Sequence, residues 1–243
     1  MAQGHLLASL FISVVVVTSP TVSTAQRSSS SVHDTANDAY TLRGNGHLIH
    51  GYTARTNEGH VRVVVEIPSG TNAKWEVDKQ DGQLKWEFKN GQPRIVRYLA
   101  YPANYGMIPR TILPKAQAGD GDPLDVLVLG PAVARGAVVE AKLIGVLKLL
   151  DGGEQDDKLI AVMPGTVLGN VNSLVEMRQQ FNGILEIVET WFTNYKGPGE
   201  LVSKGIGDAE EANAILDAAV TSFEGTSLYP RTDDRPARLR FRR

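Results

Sequence analysis

The sequence predicts an α+β fold in which strands come first and helices last. Two observations carry this reading. From Val61 onward apolar and polar residues alternate with a period of two, punctuated by turn chemistry, and in the C-terminal third the apolar period becomes helical. No internal repeat is present.

Taken in order, VRVVVEI (61–67) is β-rich and stops at Pro68-Ser69-Gly70. KWEVDK (74–79) alternates charged and apolar residues, and Asp81-Gly82 offers the positive φ a tight hairpin needs. LKWEFK (84–89) alternates again and ends at Asn90-Gly91, a second hairpin signal. YPANYG (101–106) reads as a tight loop carrying Tyr101 and Tyr105. An apolar strand follows Asp125, and VVEAKLIGVLKLL (138–150) and KLIAVM (158–163) complete the β-rich part. Short strands at close intervals suit a small barrel or sandwich better than βαβ units. Ile184, Ile187, Val188, Trp191 and Tyr195 then share one helical face, ended by Gly197-Pro198-Gly199. Asp208 and Glu211 form a capping-box-like start to a last helix, with Ala212, Ile215, Leu216, Ala219, Val220 and Phe223 as its apolar stripe.

The ends differ from this middle. Residues 1–25 read as a secretory signal peptide: an uncharged run, LLASLFISVVVV (6–17), precedes Ser23-Thr24-Ala25 and a cleavage point before Gln26. The n-region MAQGH has no lysine or arginine, and an uncleaved membrane anchor is the other reading. Residues 26–50 read as a polar linker, 51–228 as the folded domain and 229–243 as an arginine-rich tail. A signal peptide implies a periplasmic or secreted protein, with a cytoplasmic one as the alternative, and no membrane attachment after cleavage.

Composition narrows the function. The 243 residues carry 25 Lys and Arg against 27 Asp and Glu, a net charge of −2, which argues against bulk-charge binding to nucleic acid. There is no cysteine, which excludes disulfides, thiolate zinc sites and cysteine nucleophiles.

The chemistry concentrates in Gly119-Asp120-Gly121-Asp122-Pro123-Leu124-Asp125, ahead of the strand VLVL. Pro123 keeps Asp122 out of the helical region, so Asp120 and Asp122 point to one side, and a bend is needed to bring Asp125 to them. Two carboxylates about 5 Å apart repel by about 3 kcal/mol at an effective dielectric of about 20. Such a cluster protonates, recruits a basic side chain or binds a cation. Oxygen ligands alone select hard ions such as Mg²⁺, Mn²⁺ or Ca²⁺, and Pro131 in place of glutamate at the twelfth position from Asp120 argues against an EF-hand. A second acidic turn runs from Asp151 through Glu154, Asp156 and Asp157 to Lys158. Lys74 and Glu76 share one face of their strand, lining a polar cavity or simply solvated, while Arg94, Arg97, Lys148, Lys158 and Lys196 are surface charges by default.

With these segments in view, the chain resembles the soluble family I inorganic pyrophosphatases from about Val63 to Phe223. Asp120-Gly-Asp122-Pro-Leu-Asp125-Val fits that family's signature. Val65–Pro68, Lys74–Lys79, Tyr101–Gly106, Gly145–Lys148, Asp151–Val162 and Tyr195-Lys196 follow in order with similar spacing. The resemblance implies an OB-like five-stranded closed β-barrel with C-terminal helices packed against it. It implies Mg²⁺-dependent hydrolysis of pyrophosphate to two orthophosphates, with several ions bound and Mn²⁺ as a substitute. Asp120, Asp125, Asp151 and Asp156 are the implied metal ligands, with Glu66 and Glu76 in the outer metal shell. Asp122 is the implied general base toward a metal-activated water. Lys74, Arg94, Tyr105, Tyr195 and Lys196 are implied to grip phosphate, and Lys158 to support Asp156 or the leaving group. The spacing from Arg94 to Tyr101 is one residue short of the family's, which leaves Arg97 as a rival, and Asp157 rivals Asp156. A homo-oligomer is implied, a hexamer if the source is bacterial. Two other readings compete: hydrolysis of nucleoside triphosphates or polyphosphate, for which no P-loop is present, and a secreted divalent-metal-binding β-domain without catalysis.

Overall fold

A computed structural model describes residues 39–113, 119 and 121–226. The signal peptide, most of the linker, Asp120 and the arginine-rich tail lie outside the described residues. The described residues form twelve strands: β1 (Thr41–Leu42), β2 (Val61–Ile67), β3 (Trp75–Val77), β4 (Leu84–Trp86), β5 (Phe88–Lys89), β6 (Gln92–Pro93), β7 (Asn104–Met107), β8 (Asp125–Leu129), β9 (Val138–Asp151), β10 (Glu154–Gln155), β11 (Lys158–Val162) and β12 (Leu201–Asp208). The α-helices are α1 (Leu174–Gln180), α2 (Ile184–Asn194) and α3 (Ala209–Gly225).

Five strands close a ring in the order β2–β7–β8–β11–β9, and β9 returns to pair with β2. This is the OB-like barrel packed by helices. The 14-residue β9 makes closure possible. Its first residues pair with β2, its middle with β11, and its far end with β10 and β12. The β8–β11 pair is parallel, with Asp125 opposite Lys158, while the other ring pairs are antiparallel.

The ring strands are buried on both faces, which explains their unbroken apolar runs. Val126 and Val128 of β8, with Leu159 and Ala161 of β11, pack with Ala212, Leu216 and Ala219 of α3. Residues of the opposite parity, Leu127, Leu129, Ile160 and Val162, pack with Met177 of α1 and with Leu185, Val188, Trp191 and Phe192 of α2. At ~25 cal/mol per Å² of apolar area, each fully buried Leu, Ile or Val in these clusters contributes about 1.5–3 kcal/mol. A third cluster joins Leu48, Ile49, Trp75, Val77, Leu84 and Met107, under a small sheet ordered β1–β4–β3.

Several sequence expectations change. YPANYG holds the buried strand β7, not a loop, because Asn104 satisfies its own side chain inside the fold. Its amide donates to the Val128 and Pro131 carbonyls, and its Oδ1 accepts from the Ser69 and Val133 amides. A strand, β12, stands among the helices, and LKWEFK breaks at Glu87 into β4 and β5. Ile187 is exposed on α2, whose buried face runs through Leu185, Val188, Trp191 and Phe192 instead. Residues 41–50, assigned to the linker, belong to the folded unit: β1 pairs with β4, and Leu48 and Ile49 are buried. The cap of α3 is half a capping box. Asp208 accepts from the Glu210 and Glu211 amides, but the Glu211 carboxylate turns to Lys148.

Candidate active site

The parallel register of β8 and β11 sets the site, because it brings Asp125 and Lys158, the first residues of two strands, to one end of the ring. Lys158 is only 3% exposed, and its ammonium donates to Asp156 Oδ1 (2.5 Å) and to Asp125 Oδ2. Burial opposes its charge, but the carboxylates of Asp125 and Asp156 outweigh that and hold it well above the ordinary lysine range. Burial likewise pushes the Asp156 carboxyl up, against the pull of Lys158. Asp157 points elsewhere: its two oxygens accept from the Leu149 amide (3.0 Å) and the Gln155 side chain (2.6 Å). Between the two rivals, Asp156 is the one that joins the cluster.

A cleft of about 390 Å³ opens beside this pair. Glu66 of β2, Glu76 of β3, Asp78, Asp122 and Asp125 line it, together with Lys74, Lys79, Tyr105 and Met107. Glu66 is 4% exposed, and its Oε1 accepts from the Val77 amide (2.8 Å). Burial, only partly offset by Lys74, pushes its carboxyl up to about 8. Lys74 lies 3.9 Å from Glu76 and over the Tyr105 ring (5.3 Å), which Lys158 approaches at 6.0 Å. Lys79 pairs with Asp122 across the cleft. Counting Asp156 and Lys158 behind the wall, six carboxylates face three lysines. The surplus is anionic and made only of oxygen donors.

The remaining predicted residues are linked to Asp156, Lys158 and Lys74. Lys196 pairs with Asp151 at the end of β9 and also acts electrostatically on Asp156. Tyr195 stacks on Trp191 (4.6 Å between ring centres) and is electrostatically coupled to Tyr101, Lys158, Lys74 and Asp156. Arg94 neighbours Tyr195 and Tyr101, with its Nη1 donating to both oxygens of Glu87 (2.8 and 2.7 Å). Arg97 is exposed and makes no ion pair among the described residues. Every predicted site residue that the structure describes therefore falls in one connected group.

Four further residues escaped the sequence reading: Asp78, Lys79, Glu87 and Arg135. Arg135 lies over the Trp75 ring (4.6 Å) and donates to the Glu66 carbonyl (3.0 Å), bracing two strands that carry site carboxylates. Each looks like an ordinary surface charge in the sequence. The alternating strand face that carries Lys74 and Glu76 was the one available signal, and it points to Asp78.

Comparison with known proteins gives a consistent picture. The sequence model of the family described as inorganic pyrophosphatase matches residues 63–224. The inorganic pyrophosphatase of Halalkalibacterium halodurans is 36% identical over 169 residues, covering 68% of this chain and 96% of the relative. That of Kluyveromyces lactis is 38% identical over 155 residues, covering 58% of this chain and 54% of the relative. The chain thus spans nearly all of the bacterial relative and about half the length of the yeast one. The solved structure of the Helicobacter pylori inorganic pyrophosphatase superposes with a TM-score of 0.61 at 30% identity, covering 72% of this chain and 100% of that one.

Proposed function

The chain belongs to the inorganic pyrophosphatase family, and from that premise we propose that it hydrolyses inorganic pyrophosphate to two orthophosphates in the cleft bounded by β2, β3 and β8. The observation that carries the proposal is a carboxylate-rich cleft lined also by Lys74 and Tyr105, with Arg94, Tyr195 and Lys196 in the group around Asp156 and Lys158. A cleft meant for an organic cation would not carry those basic groups, and one meant for a bare anion would not carry the carboxylates.

The residues present fit Mg²⁺, with Mn²⁺ as a substitute. The carboxylates offer hard oxygen donors, and they outnumber the lysines beside them. Asp125, Asp156, Asp120 and Asp151 would hold the ions, with Glu66 and Glu76 in the outer shell. Bound there, the metal supplies charge neutralisation and a lowered pKa for water.

The chain's own groups do the rest. Lys158 holds Asp125 and Asp156 side by side, in place for their ligand role. Lys74, Arg94, Tyr105, Tyr195 and Lys196 bind the phosphate oxygens and offset the charge that moves onto the leaving phosphate. Asp122, on the loop before β8, accepts a proton from the attacking water at its carboxylate. Lys79, paired with that carboxylate, holds it toward the cleft. Water is the nucleophile, so a chain without cysteine lacks nothing for this reaction.

The test is phosphate release from pyrophosphate by the full chain, with and without Mg²⁺, beside Asp122→Asn. Mg²⁺-dependent release that drops by about 10²-fold or more in the variant is expected. Release unaffected by Asp122→Asn would remove that residue as the base. No release with any divalent ion would overturn the function.

A homo-oligomer and export of the mature chain also belong to this reading. Light scattering on the purified protein and N-terminal sequencing of protein from the cell exterior test them, a monomer or an intact residue 1 being the contrary results. Among the described residues no helix is long and apolar enough to cross a membrane.

A further inference from the structure

We propose that Glu87 is a positioning residue for Arg94, fixing the guanidinium so that its Nε–Nη2 edge is presented to a phosphate group; this rests on the pyrophosphatase reading above. The sequence LKWEFK predicts an uninterrupted strand, but the strand breaks at Glu87. There the main chain ties three segments together. The Glu87 amide donates to the Lys74 carbonyl (2.9 Å), the Arg94 amide to the Glu87 carbonyl (2.7 Å), and the Lys74 amide to the Arg94 carbonyl (3.0 Å). The Trp86 indole N–H adds a second bond to the Arg94 carbonyl (2.9 Å). Lys74 and Arg94, the two cations proposed to hold phosphate, are thereby set in one frame with Glu87 between them.

The side chains carry the argument further. Both Glu87 oxygens accept from the same nitrogen, Nη1 of Arg94, and each side chain is 24% exposed. A guanidinium offers five N–H donors in a rigid fork. Glu87 uses the Nη1 end, and among the described residues the Nε and Nη2 donors have no protein partner. That side-on edge is the one that matches two oxygens of a phosphate. Had the carboxylate taken the side-on edge, the arginine would be spent on an internal pair. Tyr101 and Tyr195 are the electrostatic neighbours of Arg94, and Tyr195 is in turn a neighbour of Lys74 and Lys158. Arg97 has no comparable anchor, so the clamp also selects which arginine serves.

The experiment is steady-state pyrophosphate hydrolysis by the full chain at fixed Mg²⁺, comparing wild type, Glu87→Gln, Glu87→Asp, Arg94→Lys and the Glu87→Gln/Arg94→Lys pair. Glu87→Gln is expected to raise KM about tenfold, the loss of one charge-assisted contact, with kcat within about threefold. Glu87→Asp recovers part of that KM. In the Arg94→Lys background Glu87→Gln changes KM by less than about twofold, because the group it positions is gone. A KM that stays within about twofold of wild type, or an equal rise in both backgrounds, overturns the proposal. Should Glu87→Gln lose its cooperative melt, Glu87→Asp decides by the same KM criterion. A wild-type chain without activity would instead overturn the pyrophosphatase reading, and the proposal with it.

Discussion

Lys158 shows how much one residue holds in this site. It is buried between Asp125 and Asp156, so Lys158→Met leaves two partly buried carboxylates without the ammonium that joins them. Breaking such a buried network costs about 3–5 kcal/mol, and a divalent cation should restore much of it by replacing the ammonium charge. Urea unfolding with and without Mg²⁺ checks both halves. Glu66 supplies a pH dependence. Its carboxyl sits at about 8 in the folded chain against an ordinary 4.5, so between those values the native state holds the extra proton. Stability of the metal-free protein should therefore fall as pH rises from about 4.5 toward 8. Glu66→Gln should flatten that slope, which unfolding in chelator at pH 5.5 and 8.5 would read. A slope of the same size in the variant would assign it to other groups.

At the scale of elements, backbone closeness governs what the sequence tolerates. A Cβ on Gly106 of β7 would lie 2.0 Å from the Val64 carbonyl oxygen of the neighbouring strand. Gly106→Ala must push β7 off β2, and a loss of about 3 kcal/mol is expected in thermal unfolding. The Asn90-Gly91 turn joining β5 to β6 has positive φ at both residues (54° and 73°), as its dipeptide predicts. Helix α3 begins on Asp208, which satisfies two amides, and Asp208→Ala should cost about 1 kcal/mol. Legibility follows the same physics. Hairpins, caps and long apolar runs are local and were readable. β7 was not, because proline, asparagine and glycine argue for a turn. Only distant partners at Ser69, Val128, Pro131 and Val133 make Asn104 a core residue.

For the whole molecule, the ring converts residues spread from Glu66 to Asp125 into one cleft. On the proposed reading its excess of carboxylates links folding to cation binding. At a Mg²⁺ concentration about 100 times the dissociation constant, the folded state gains about 2.7 kcal/mol. Adding chelator should lower the melting temperature accordingly, and Asp125→Asn should shrink the difference. An unchanged melting temperature on metal removal would show that the cleft does not bind the ion.

Legible in the chain alone are the strand-rich first part and helical last part, the acidic loop ahead of β8, the resemblance to the family, and the carboxylates and cations proposed to carry its chemistry. Each of those depends on side-chain type, local period or spacing along the chain. Only the tertiary structure decided that Asp156 rather than Asp157 meets Lys158, and that Arg94 rather than Arg97 reaches the tyrosines. It alone also brought Lys79, Glu87 and Arg135 to the site. Neighbouring residues of the same type are equivalent in sequence, and they become different only when strand register and ring closure fix which way each one points.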